Sequence, residues 1–127
     1  MYFDVNKFKT INDTYGHGVG DEILRVVAQR LLGAVSADDV VARLGGDEFL
    51  VLILSDYAAT IDSVIERLRQ RLEQPVGVSG GFVLDVSVAV GQSCTSDPVL
   101  RLDNLLRDSD QAMYQSKGAP ERVAVTV

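Results

Sequence analysis

Basic residues and cysteines are both scarce in this chain of 127 residues. It has 12 lysines and arginines against 18 aspartates and glutamates, which gives a formal net charge of -6 at pH 7. A nucleic-acid polymer needs a basic face on its partner, so this balance argues against that class but not against a single nucleotide held through a metal ion. Cys94 is the only cysteine. It permits no disulfide within the chain, and we interpret it as a small buried apolar residue in a reducing compartment.

Long hydrophobic runs are also absent. No apolar stretch approaches the length of a membrane span, and no signal peptide is present, so we expect a cytoplasmic domain without membrane contact. The length fits one domain over residues 1–127, with enough chain to bury a core. Residues 1–5 already have the pattern of the end of a buried strand, which predicts that the domain is truncated at its N-terminus, with a naturally short edge strand as the alternative.

Residues 40–54 are the most informative stretch, because two apolar, β-rich runs flank the sequence Gly45-Gly46-Asp47-Glu48. A Gly-Gly pair in that setting predicts a tight hairpin whose central residues need positive φ, with Asp47 and Glu48 at the tip. The glycines leave room for an anionic ligand, and adjacent carboxylates are oxygen donors suited to Mg²⁺. The pattern fits a metal–nucleotide site, and it fits an ordinary acidic turn equally well.

The spacing of apolar residues predicts the other elements. They are a helix-like stretch from Lys7 to Thr14, a helix from Asp21 to near Gly33, a helix stopped by Pro75, a second hairpin with a long arm from Phe82 to Gly91, a helix to about Lys117 and a closing strand over 122–127. A β-α-β-β-α-β core within this order predicts an α+β, ferredoxin-like fold, with helices on one face of a mostly antiparallel sheet.

Asp4 ends the first strand, which neighbours the hairpin strands in this topology. If the strands are adjacent, Asp4 converges with Asp47 and Glu48, and such a cluster either binds a metal or has raised pKa values. Asn12 and Asp21 supply an amide and a carboxylate that suit the edge of a purine, guanine above all. A turn residue and a helix N-cap are their ordinary alternatives.

Two motifs in this order and at this separation resemble the GGDEF family of diguanylate cyclases. They are Asp4–His17 with Gly20-Asp21, and Arg43–Phe49; the later segments Asp85–Ala89 and Asp110–Lys117 resemble the family as well. The resemblance covers nearly the whole chain. It implies a fold like the palm of polymerases and class III nucleotidyl cyclases, and it implies that two GTP molecules, each held by one domain of a homodimer, condense into cyclic di-GMP with loss of pyrophosphate.

The resemblance also implies roles for single residues. Asp4, Asp47 and Glu48, with the Val5 carbonyl, match the ligands of Mg²⁺ or Mn²⁺, and Asp47 or Glu48 would help to deprotonate the ribose 3′-hydroxyl. The remaining matches are Asn12 and Asp21 to the guanine readers, the Lys7 and Phe8 backbone with Lys117 to the phosphate contacts, Lys9 to a position close by, and Gly45 and Gly46 to the turn under the nucleotide.

The chain departs from the family pattern at several places. It has no counterpart of the preceding Asp-x-Leu-Thr-Gly-Leu-x-Asn-Arg segment, Asn6 replaces a second acid, and Pro120-Glu121-Arg122 replaces Gly-Arg-Asn. Ser36 replaces the arginine of the product-inhibition motif that ends at Asp39, so we expect little or no feedback inhibition there. We expect an upstream sensory or signalling domain in the full-length protein. The alternative function is a weakly active or inactive module that binds GTP or cyclic di-GMP and signals through a partner protein.

Overall fold

The computed structural model describes residues 1–54, 58–95 and 102–116. Its elements are β1 (Tyr2–Val5), α1 (Phe8–Tyr15), α2 (His17–Leu32), β2 (Val40–Gly45), β3 (Glu48–Leu52), α3 (Ala58–Leu72), β4 (Val76–Val78), β5 (Phe82–Leu84), β6 (Val88–Gly91) and α4 (Leu102–Ser116). Lys117 and the closing strand expected over 122–127 lie outside the described residues.

The central sheet has the strand order β2-β3-β1-β6, and every neighbouring pair in it is antiparallel. The short strand β1 lies between β3 and β6, where Phe3 is opposite both Phe49 and Val90. Chain segments that are distant in sequence are therefore joined through β1. The predicted α+β class with an antiparallel central sheet is confirmed.

Helices cover both faces of this sheet, so the expectation of helices on one face is wrong. Side chains of α2 and α3 form one core with the face that carries Phe3, Phe49 and Val90. On the opposite face, the backbone of α4 lies directly against Gly91, which pairs with Tyr2 of β1. The lack of a side chain at Gly91 allows this close approach.

The first long helix begins one turn earlier than Asp21. Gly16 has φ 86° and ψ 160°, a non-helical conformation that ends α1, and α2 then starts at His17. Gly18 and Gly20 are therefore helical, although glycine lowers helix propensity. The predicted helix-like stretch from Lys7 to Thr14 is confirmed as α1, one residue further along.

The second hairpin is shorter than predicted. Strands β4 and β5 form a separate two-stranded sheet, whereas β6 belongs to the central sheet. The expected arm from Phe82 to Gly91 is thus divided at residues 85–87. Val86 is buried in the core there, and the Ser87 carbonyl accepts a hydrogen bond from the Asn6 N–H at 2.9 Å, which aligns the next strand with β1.

Two further expectations concern single features. Cys94 is exposed, so its interpretation as a buried residue is wrong. Helix α3 follows its predicted pattern, because Val64, Leu68 and Leu72 are buried and Arg69 pairs with glutamates on the exposed side. Within the described residues, none of the helices has the length and apolar character required to cross a bilayer.

Candidate functional site

The hairpin between β2 and β3 turns at Gly46 and Asp47, one residue later than the Gly-Gly pair suggests. The register shifts between Arg43 and Gly45, so that Gly45 pairs with Glu48. Gly46 has φ 40°, and Gly45 does not have a positive φ. Asp47 is therefore at the tip as predicted, whereas Glu48 is the first residue of β3.

The antiparallel pairing of β1 with β3 places Glu48 directly opposite Asp4 of β1. The Val5 N–H also donates to the Asp47 carbonyl at 3.2 Å, which holds the tip against the end of β1. Opposite residues in antiparallel strands have Cβ atoms about 4.5–5.5 Å apart. Asp4 is buried, with 7% of its surface exposed, and Asp47 and Glu48 are half-buried. Sheet pairing thus brings together acids that are 44 residues apart in sequence.

The predicted cluster of three carboxylates is not assembled. Across residues 1–54, 58–95 and 102–116, no group of three or more His, Cys, Asp or Glu side chains is arranged to hold a metal ion. Mg²⁺, however, usually uses only one or two carboxylates and takes its remaining ligands from water and substrate phosphates. The oxygen donors of Asp4 and Glu48 fit a site of that kind, and Val5 follows directly in the chain.

The acid pair lies on the sheet face that α4 covers. Burial raises the pKa of Tyr2, and the negative charges of Glu48 and Asp110 raise it further. Tyr2, Asp4 and Glu48 share one face by strand alternation and register, and Asp110 belongs to α4. The candidate metal site is therefore on the opposite side of the sheet from the main core.

Arg43 is a residue of the site that the sequence analysis missed. Its Nε and Nη2 atoms both donate to the Gly46 carbonyl, at 3.0 and 2.6 Å. The turn is thus held from the β2 side by Arg43 and from the β1 side by Val5. A β-carbon at Gly45 or Gly46 would have no atom within 4 Å, so the space beside this turn is open. An arginine three residues before a glycine turn was the available signal.

Asn12 and Asp21 lie close together across the α1–α2 junction. Neither has its ordinary alternative role, because Asn12 is inside α1 and Asp21 is the exposed fifth residue of α2. The Oδ1 atom of Asn12 is buried against Gly20, next to Asp21, and has no hydrogen-bond partner in the described structure. The two residues proposed to read a purine are thus neighbours in space.

The start of α1 offers backbone donors. Lys7 precedes the helix in a left-handed conformation, φ 55° and ψ 26°, which costs a non-glycine residue roughly 1–2 kcal/mol. No side chain of the described residues caps this end, and unpaired N–H groups at a helix start attract phosphates. Phe8 is half-buried against the core and Lys9 is exposed. This geometry suits the phosphate contacts expected at Lys7 and Phe8.

A groove of about 400 Å³ runs between α2 and the β2 strand. Asp21, Leu24 and Arg25 line it from α2, and Val41 and Arg43 line it from β2. Its volume lies within the usual range for small-molecule sites. The groove extends from Asp21, the residue predicted to contact a purine, to Arg43 in the β2–β3 hairpin.

Ser36 and Asp39, which occupy the positions of the product-inhibition motif of the family, are hydrogen-bonded to each other. The Ser36 N–H and Oγ donate to Asp39 Oδ2 at 2.8 and 2.7 Å, and the Leu54 N–H donates to Oδ1 at 2.9 Å. Partial burial acts to raise the pKa of Asp39, but these hydrogen bonds outweigh it and hold that pKa below its ordinary value. Both carboxylate oxygens are thus engaged within the chain.

Comparison with known proteins identifies relatives over nearly the whole chain. The family described as "Diguanylate cyclase, GGDEF domain" matches residues 1–122. The response regulator PleD of Caulobacter vibrioides is 35% identical in an alignment of 127 residues that covers 98% of this chain and 28% of that protein. The cyclic di-GMP phosphodiesterase NbdA of Pseudomonas aeruginosa is 37% identical in an alignment of 119 residues that covers 92% of this chain and 15% of that protein.

A solved structure shows the same fold. The GGDEF domain of YfiN (TpbB) from Pseudomonas aeruginosa superposes with a TM-score of 0.79 at 33% identity, covering 92% of this chain and 69% of that one. The chain spans less than a third of either curated relative named above. Because the family match runs over 122 of the 127 residues, the chain belongs to the GGDEF domain family.

Proposed function

We propose that this chain is the catalytic domain of a diguanylate cyclase, which joins two GTP molecules into cyclic di-GMP and releases two pyrophosphates. The observation that carries the proposal is the pairing of Asp4 with Glu48 across β1 and β3, beside a turn with open space around its glycines. Family membership supports it, since the matching family is described by this activity.

The acids carry the chemistry of this proposal. Asp4 and Glu48 would hold Mg²⁺ or Mn²⁺, with the Val5 carbonyl as a further ligand. When bound, such an ion would supply positive charge that neutralises the triphosphate and acidifies the ribose 3′-hydroxyl. Asp47 or Glu48 accepts the hydroxyl proton while the 3′-oxygen bonds to the α-phosphorus of the other GTP, and the bond from that phosphorus to pyrophosphate breaks.

Other residues position the nucleotide. Asn12 and Asp21 read the guanine edge from the α1–α2 junction. The backbone of Lys7 and Phe8 holds phosphates at the start of α1, and Lys9 and Lys117 add positive charge. Gly45 and Gly46 leave the space under the nucleotide that a side chain would fill.

The reaction requires two copies of the domain, because each copy has one acid pair and holds one GTP. We therefore propose a homodimer whose two sites face each other. In the full-length protein, an upstream sensory or signalling domain would control how the copies meet. We place this domain in the cytoplasm, because its proposed substrate GTP must be available there and the unpaired thiol of Cys94 fits a reducing compartment.

The direct test is to incubate concentrated protein with GTP and Mg²⁺ and to measure cyclic di-GMP. Glu48→Gln should lower the rate by about 10²-fold or more, since it removes charge that acts on the reacting atoms. Asp62→Asn, on the exposed side of α3, is the matched control and should leave the rate unchanged. Equal rates for Glu48→Gln and the unmodified protein would contradict the assigned role.

The second candidate is a module that binds GTP or cyclic di-GMP and signals through a partner protein. It is favoured by the similarity to NbdA, which is named for hydrolysis of cyclic di-GMP and not for its synthesis. Saturable GTP binding without product formation, at protein concentrations that populate a dimer, would establish this candidate over the cyclase.

A further inference from the structure

Gly20, in the first turns of α2, is a point where a side chain cannot fit without moving the α1 helix or its side chains. It is buried, and a β-carbon built on it would overlap the Oδ1 atom of Asn12. The same β-carbon would lie 3.0 Å from Asn12 Cγ and 3.2 Å from Phe8 Cζ. All three contacts are with side chains of α1.

Backbone conformation does not require glycine at this position. Gly16 needs its positive φ of 86°, but Gly20 is helical. A glycine within a helix is less stabilising than an alanine at the same position. Gly18, two residues earlier in the same helix, has nothing within 4 Å of its β-carbon position. The close approach of Asn12 is therefore particular to Gly20.

Asn12 is held in this place by shape. Its Oδ1 atom is buried, with no hydrogen-bond partner in the described residues, so no bond to α2 fixes the amide. Its position depends on the space that Gly20 leaves. Asp21, the next residue along α2, is exposed beside it. The amide and the carboxylate can contact one purine together only while Asn12 lies this close to α2.

We propose that Gly20 determines the purine selectivity of the nucleotide site, because it seats Asn12 beside Asp21. This inference rests on the proposed function, since it takes that site to hold GTP. Any side chain at position 20 displaces the Asn12 amide by roughly 1 Å, a misplacement that is large for a positioning contact. The displaced pair then loses its ability to distinguish guanine from adenine.

The test compares four proteins: Gly20→Ala, Asn12→Ala, the double variant, and Gly18→Ala as the matched control. Dissociation constants for GTP and ATP are measured with Mg²⁺ by calorimetry, and thermal melting is followed in parallel. Gly20→Ala should weaken GTP binding about 10-fold, or ~1.4 kcal/mol, and change ATP binding less than about twofold. Gly18→Ala should bind both nucleotides like the unmodified protein.

The double variant separates the seating of Asn12 from general damage to α2. With alanine at position 12 the new methyl group no longer meets the Asn12 amide and only the flexible end of Phe8 remains within 3.4 Å. Gly20→Ala should therefore weaken GTP binding no further than Asn12→Ala does alone. Additive losses, unchanged GTP/ATP selectivity in Gly20→Ala, or a Gly20→Ala protein that does not fold would each overturn the inference. If the unmodified protein binds neither nucleotide, the proposed function fails with it; if it selects GTP and Gly20→Ala does too, only the inference fails.

Discussion

Two glycines, Gly20 and Gly91, mark places where elements of this domain approach each other closely, and their surroundings differ. A β-carbon at Gly20 would overlap the amide end of Asn12. A β-carbon at Gly91 would overlap the carbonyl oxygen of Ser109 and the amide nitrogen of Met113, and would lie 2.8 Å from Met113 Cα. The first obstacle is the tip of a side chain, whereas the second is the backbone of α4.

This difference separates the part of the fold that we propose selects a ligand from the part that supports it. A side chain can rotate away at little cost in stability, so crowding at Gly20 is expected to change recognition. A helix backbone moves only as a unit, so crowding at Gly91 is expected to change the folded state itself. The same substitution, glycine to alanine, should therefore have opposite signatures at the two positions.

The largest effect is expected for Gly91→Ala. The new methyl group would push α4 away from β6 and β1, and overpacking of this kind costs typically 1–3 kcal/mol and occasionally more. Because the obstacle is backbone, we expect a loss of about 3 kcal/mol in the free energy of unfolding, measured by urea denaturation. Gly77→Ala, in strand β4 with nothing within 4 Å, is the matched control. Similar stability of Gly91→Ala and Gly77→Ala would show that the two regions do not differ in this way.

The sequence was sufficient for the elements whose pattern is local. The β2–β3 hairpin follows from two apolar runs around Gly45 and Gly46, and α3 follows from the spacing of Val64, Leu68 and Leu72. The turn lies one residue later than the sequence predicted. The register shift after Arg43 is set by pairing between strands and cannot be recognised from the composition of the segment. The pairing of β1 with β3, which is also set by the tertiary structure, decides that Glu48 faces Asp4.

Other features depended on contacts between distant segments. The run from Phe82 to Gly91 looks continuous, but residues 85–87 change sheets because the Ser87 carbonyl pairs with Asn6. Asn12 and Asp21 have residue types that favour turns and caps, yet both are helical. Gly20 lets the Asn12 side chain of α1 pack closely against α2. Except for Arg43, the sequence supplied the candidate residues of the site, whereas their mutual geometry required the tertiary structure.

A smaller effect is expected at Arg43. It tests whether the hairpin turn, like the surroundings of Gly20, affects function more than stability. Arg43→Ala removes two hydrogen bonds to the Gly46 carbonyl. Since Arg43 is exposed, we expect a loss of stability of about 1 kcal/mol or less. The rate of cyclic di-GMP formation should fall about 10-fold because the turn no longer holds the acids in place.

The matched variants for this prediction are Arg43→Lys and Arg107→Ala. Lysine retains a donor but not the paired geometry of arginine, so the rate of Arg43→Lys should lie between those of Arg43→Ala and Arg107→Ala. Arg107 is an exposed arginine of α4 and its replacement should have no effect on the rate. A rate for Arg43→Ala equal to that of Arg107→Ala would mean that the turn holds the acids in place without the Arg43 hydrogen bonds.

The smallest effect is expected at Asp39, in the connection between α2 and β2. Its pKa lies below the ordinary value of 3.8 in the folded state, so its hydrogen bonds stabilise the fold fully above pH 3.8 and are lost as the pH falls through the lower folded pKa. Asp39→Asn should therefore be less stable than the unmodified protein at pH 5–7, and the difference should shrink below pH 3.8. Urea unfolding at several pH values measures it, with the exposed neighbour Asp38→Asn as control. A stability difference between Asp39→Asn and the unmodified protein that stays constant down to pH 2 would mean that the Ser36 and Leu54 contacts do not depend on the charge of Asp39. This loop would then resemble the contact at Gly91, where the backbone and not a side chain determines stability.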